Sequence, residues 1–133
     1  MIGLDANVIV RYLAQDDVRQ AAAATRLIEG TLSAEELGFI SIVTLVEVVW
    51  VMSSNYRANR VAIADIVEGL LTAPQLMVER AHVLWRALKV YRDSKADFSD
   101  AVIVELGSDA GCSKTVTFDR QAATHPGFEA LRS

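Results

Sequence analysis

The sequence has a single cysteine, Cys112, and only two prolines, Pro74 and Pro126. One cysteine excludes an internal disulfide framework and any cysteine-rich zinc site. The prolines lie far apart and mark no linker, and there is neither an internal repeat nor a low-complexity tract. No apolar run approaches the ~18 residues that a membrane-crossing helix needs. The opening Met1-Ile2-Gly3-Leu4-Asp5 lacks a basic region and carries an acid early, which does not suit a signal peptide. A cytoplasmic protein is therefore expected. Positive charge is also scarce. Thirteen Lys and Arg face seventeen Asp and Glu, for a net charge of −4. That balance argues against a non-specific polyanion binder but leaves room for a local basic patch.

What is present suits one domain over residues 1–133. The chain is 52% hydrophobic and 23% charged, as in ordinary globular proteins. At this length about two-thirds of the unfolded surface can be buried without a metal or disulfide staple. Ile2-Gly3-Leu4 reads as a strand ending at Asp5, followed by a turn and a helix beginning near Asn7. Val18–Ile28, with its run of four alanines, is a helix on propensity, capped by Asp16 or Asp17 and stopped by Gly30. Leu37–Val43 is a continuous apolar, β-branched run, as expected of a strand covered on both faces. Thr44–Met52 then reads as a helix.

From Asn59, apolar residues recur at three- and four-residue steps through Leu71, a helical face. Leu76–Val78 is a short strand after Pro74, and Ala81–Tyr91 an amphipathic helix. A helix from Asp100 to Ser108, begun by Asp97 or Ser99, is apolar on most sides and expected to be buried. Gly111 ends it, and Lys114–Phe118 is a strand ending at Asp119. Strands separated by helices imply an α/β fold, with a parallel sheet covered by helices on both faces. In such sheets ligands bind beyond the carboxyl ends of the strands.

That rule singles out a few acids. Asp5 follows the first strand; its ordinary reading is a helix cap, a role open to Asn7 as well. Glu47 is the only charge between Glu36 and Arg57, and Thr44-x-x-Glu47 fits a capping box. Asp97 and Asp100 flank Phe98-Ser99 at the start of an apolar helix, where acids favour the helix dipole. Asp119 reads as a turn residue. Taken together, Asp5, Glu47, Asp100 and Asp119 all fall at carboxyl ends of strands or in the following helix turn. Four carboxylates in one cleft repel, and a cation would relieve them. Oxygen ligands without cysteine or histidine favour Mg²⁺ or Mn²⁺ over Zn²⁺. His82 reads as a helix-face residue and His125 as a loop residue, both outside these segments. One or two such ions suit hydrolysis of a phosphodiester by an activated water, with no covalent nucleophile.

Asp5-Ala6-Asn7-Val8, the isolated Glu47, Ala96-Asp97-Phe98-Ser99-Asp100-Ala101 and Thr117-Phe118-Asp119-Arg120 together resemble a PIN-domain ribonuclease. Length and composition resemble the VapC toxins of type II toxin–antitoxin pairs. The resemblance covers nearly the whole chain. It implies a PIN-like three-layer fold, a metal pocket formed by Asp5, Glu47, Asp100 and Asp119, and Asp97 as a rival for the third acid. It also implies Asn7 and Thr117 as supporting polar residues, RNA as substrate, a homodimer, and a cognate antitoxin protein as inhibitor. Arg11, one turn after Asn7, and Arg120, beside Asp119, are the expected phosphate contacts. Trp50 and Tyr56 flank an apolar helix and read as core or dimer-interface residues.

Two other classes are weighed. A Mg²⁺-dependent phosphatase of the haloacid-dehalogenase type needs an acid two residues after its nucleophilic Asp, where this chain has Asn7. A non-catalytic module with the same fold has no use for the intact acid set. A P-loop at Gly111–Thr115 fails, because Ser113 stands where a glycine is required before Lys114.

Overall fold

A computed structural model describes all residues, Met1–Ser133. The chain is mixed α/β with six α-helices, and every strand pair is parallel. It forms two compact units, Met1–Ala81 and His82–Ser133. No helix is long and apolar enough to cross a membrane.

In the first unit the order is β1 (Ile2–Gly3), α1 (Ala6–Ala14), α2 (Val18–Thr25), a π-helical turn (Arg26–Thr31), β2 (Gly38–Ile40), α3 (Ile42–Ser54), α4 (Arg60–Thr72) and β3 (Leu76–Val78). The sheet order is β1-β2-β3, with Ile2 beside Gly38 and Ile40 beside Val78. Ile9, Ile40, Leu45, Val48, Ile63 and Val67 are fully buried. Gly38 lets three leucines close on the strand, since an added Cβ would lie 2.6 Å from a Leu32 methyl and 3.1 Å from methyls of Leu4 and Leu76, and the Leu32 methyl would have to move.

Each of α1–α4 starts at a side-chain cap. Asp5 Oδ1 accepts from Ala6 N at 2.8 Å, Asp17 Oδ1 from Gln20 N at 2.9 Å, Ser41 Oγ from Thr44 N at 3.1 Å and Asn59 Oδ1 from Ala62 N at 2.9 Å. Two expectations change accordingly. Asn7 does not cap α1, because it is already the second helical residue. Thr44 does not open α3, because Ser41 caps it and Thr44 is its third residue, which leaves Glu47 in the second turn and outside any capping box. The apolar run over 37–43 holds all of β2 and the start of α3, and periodicity cannot divide so short a run. Gly30 does not stop α2 but lies within the π-helical turn that extends it.

The second unit holds α5 (Ala81–Asp93, entered at its first turn), α6 (Phe98–Asp109), β4 (Thr115–Thr117), a 3₁₀ turn (Ala122–Thr124) and β5 (Phe128–Ala130). β4 and β5 pair in parallel, Thr115 beside Phe128 and Thr117 beside Ala130. Strand β5 is absent from the sequence reading, because three residues carry too little pattern. Val83, Leu84, Ala87, Leu88, Tyr91, Phe98, Ala101 and Val102 are buried. Tyr91 and Phe98 meet edge to face at 5.8 Å. Helix α6 is less enclosed than its composition suggests, with Ile103 half exposed. Gly127, at φ +89°, turns the chain into β5, where a Cβ would lie 2.4 Å from a Val104 methyl.

Candidate functional site

The first unit offers two acids. Asp5 is exposed directly after β1, and its bond to the next amide occupies Oδ1 alone. Glu47 is exposed on α3 and makes no hydrogen bond or ion pair. It lies one turn from both Val43 and Trp50, so a lone carboxylate stands within an exposed apolar stripe. Trp50 is 63% exposed, which corrects its reading as a core residue. Asn7 is exposed and its amide bonds to no carboxylate.

Arg11 is less free than the sequence suggests. Its Nε donates to Gln20 Oε1 at 2.7 Å, and its Nη1 to Tyr56 OH at 3.2 Å and Asp16 Oδ1 at 3.5 Å. Tyr56 OH in turn donates to Asp16 Oδ2 at 2.7 Å. This bond from Tyr56, aided by the Arg11 charge, lowers the Asp16 carboxyl below its ordinary range. Asp16 holds the α1–α2 turn to the segment after α3, and Tyr56 is thereby a linking residue rather than a core one. Arg11 also lines a groove of about 340 Å³ with Asn7, Val8, Gln20, Ala23 and Leu27.

The second unit gathers the remaining acids. Asp97 is the N-cap residue of α6, yet its carboxylate makes no cap hydrogen bond and stays exposed. Asp100, the third residue of α6, is half-buried. Burial raises its carboxyl above the ordinary value, Asp97 and then Asp119 push the same way, and His125 opposes them. Asp119 lies in the turn after β4, as a turn residue should. Its Oδ1 accepts from Gln121 N at 2.8 Å and Ala122 N at 3.3 Å, while Thr117 Oγ1 accepts from Asp119 N at 3.0 Å. Thr117 thus fixes the backbone that carries Asp119. Arg120 is exposed and unpaired.

His125 is the residue that sequence reading missed. It is a loop residue after the 3₁₀ turn, outside the acid segments in sequence as expected, yet its charge is felt by Asp100. Only its place six residues after Asp119 hinted at this. Glu79 was also passed over. Its Oε1 accepts from Ile42 N at 2.9 Å and backs the start of the helix that carries Glu47.

The five acids offer oxygen donors only, which fits a hard divalent cation. In neither unit do three His, Cys, Asp or Glu side chains close on one point at metal-ligand distance. The crowding of like charge around half-buried Asp100 is nevertheless what a cation would relieve. No curated protein matches the chain. Residues 2–127 match the family model described as PIN domain.

Proposed function

Because this chain belongs to the PIN-domain family, whose members are in general divalent-metal-dependent nucleases, we propose that it is an endoribonuclease using Mg²⁺ or Mn²⁺ and acting as the toxin of a toxin–antitoxin pair. The observation that carries the nuclease reading is Asp100, a half-buried carboxyl raised by its burial and by two neighbouring acids. Such a group is costly to keep ionised without a cation and useful once one is present.

Asp5, Glu47 and Asp100 are the residues that would hold the ion. Asp119 would assist, having one oxygen already committed to its turn, and Asp97 is the exposed alternative to Asp100. When bound, one or two such ions supply an acidified water and neutralise charge on the phosphate. Thr117 keeps Asp119 in place through its amide. Arg120 is free to meet a phosphate oxygen, and Arg11 retains Nη2 for the same purpose. Cleavage of single-stranded RNA should stop in EDTA and return with Mg²⁺ or Mn²⁺; cleavage that persists in chelator overturns the reading.

The toxin role, the cognate antitoxin and the homodimer rest on the PIN motifs and on the likeness of length and composition to VapC toxins, and a cytoplasmic location is proposed with them. Expression of the chain alone should slow growth. Soluble, folded protein without effect on growth would remove the toxin role and leave the nuclease reading standing. A phosphatase reading finds no support, since Asn7 supplies no acid and its amide bonds to no carboxylate.

A further inference from the structure

Charge and apolar exposure are unevenly placed in the second unit. It contains seven Lys and Arg against seven Asp and Glu, while the first unit has six against ten. With Asp97, Asp100 and Asp119 set aside, the second unit has three cations in excess. Two of its cations bracket those acids in sequence: Lys95 lies two residues before Asp97, and Arg120 directly follows Asp119. Both are exposed and neither has a partner. Between Thr117 and Asp119 stands Phe118, which is 70% exposed. Burying a phenyl ring is worth roughly 1.5–3 kcal/mol, so leaving one in water forgoes a stabilisation of that size.

The backbone that carries the ring is also held in position. The bond from Asp119 N to Thr117 Oγ1 and the two bonds to Asp119 Oδ1 fix the backbone on its C-terminal side. Pairing of β4 with β5 fixes the other side, and Leu131 N donates to Thr117 O at 2.7 Å. An exposed aromatic on a fixed backbone, two residues from the free cation Arg120, suits single-stranded nucleic acid, because bases stack on the ring while phosphates meet the charge.

We infer that Phe118 is a stacking platform for a base of the bound RNA, with Arg120, two residues on, contacting a flanking phosphate. This rests on the endoribonuclease reading and names a residue through which unpaired RNA would be held, since a base within a duplex cannot reach the ring. Phe118 belongs to no proposed ligand set, and its exposure lets it be replaced without opening the core.

The test is fluorescence anisotropy of a labelled twelve-residue oligoadenylate, and of the same strand annealed to its complement, with the full chain in the Asp100→Asn background to prevent cleavage. Binding of the single strand should weaken about tenfold or more in Phe118→Ala, in line with the known worth of base–aromatic stacking. Phe118→Tyr should restore it, and Phe118→Leu, apolar but not aromatic, should not. Arg120→Ala should flatten the dependence of affinity on salt. Unchanged single-strand binding in Phe118→Ala overturns the inference. So does full binding in Phe118→Leu, and so does duplex bound as well as single strand. If Phe118→Ala instead converts a dimer to a monomer by light scattering while RNA binding holds, Phe118 with Val116 and Leu131 is a protein-facing patch and the inference fails. The nuclease reading fails separately, if the unaltered chain does not cleave RNA with Mg²⁺ or Mn²⁺.

Discussion

Two acids, one in each unit, are pushed in opposite directions. Asp16 in the first unit accepts from Tyr56, lies beside Arg11, and is held more acidic than usual. Asp100 in the second is half-buried among like charges and held less acidic than usual. The helix starts repeat the contrast. The N-cap residues of α1–α4 all use their side chains on the helix, whereas Asp97, at the start of α6, does not. Acids spent on structure have their lone pairs occupied and their charge balanced. Asp97 and Asp100, at the start of α6, have neither, and unbalanced polar groups are what functional sites accumulate. Asp5 stands between the two kinds, a cap with one oxygen unused.

Exchanging these acids tests the comparison. The largest effect is expected on cleavage. Asp100→Asn should lower Mg²⁺-supported RNA hydrolysis by about 100-fold or more, as loss of one charge-stabilising group does elsewhere, while Asp16→Asn should leave it nearly unchanged. Equal losses in a cleavage assay would erase the distinction. Next come the caps. Ser41→Ala should cost about 1 kcal/mol in urea unfolding, whereas Asp97→Ala should cost almost nothing, since no cap bond is lost.

The pH dependence sharpens the contrast further. A raised carboxyl binds more protons folded than unfolded, so Asp100 weakens the fold at neutral pH and ceases to do so below its ordinary value of 3.8. Asp100→Asn should therefore raise Tm at neutral pH by roughly 1–3 °C, a gain that disappears in acid. Asp16 has the opposite sign: its contribution is present above the ordinary carboxylate value and is lost as pH falls through its lowered one. Tyr56→Phe should accordingly give the smallest effect, a slight fall in Tm at neutral pH that vanishes in acid. Calorimetry across pH measures both, and slopes of the same sign would break the pairing.

Much of this was legible in the residues. The helices from Val18, Asn59 and Ala81 and the strand at Leu76–Val78 follow from periodicity and punctuation, and they stand close to where those signals put them. The boundary near Ser41 did not, because Ile40, Ile42 and Val43 suit a strand or a helix equally, and a serine hydroxyl decided between them. β5 was invisible because Phe128–Ala130 gains its structure by pairing with β4, a partner that no local pattern announces. The acids could be chosen from their places after strands. His125 could not, since its relation to Asp100 exists only through the turn that follows Asp119.

Composition and spacing by themselves settled the fold class and the family, because burial patterns and acid positions are written along the chain. The surroundings of each acid were decided by packing. Whether a carboxylate is occupied by a cap, balanced by a tyrosine or crowded by its own kind depends on groups distant in sequence, and electrostatic energy is set by distance in space.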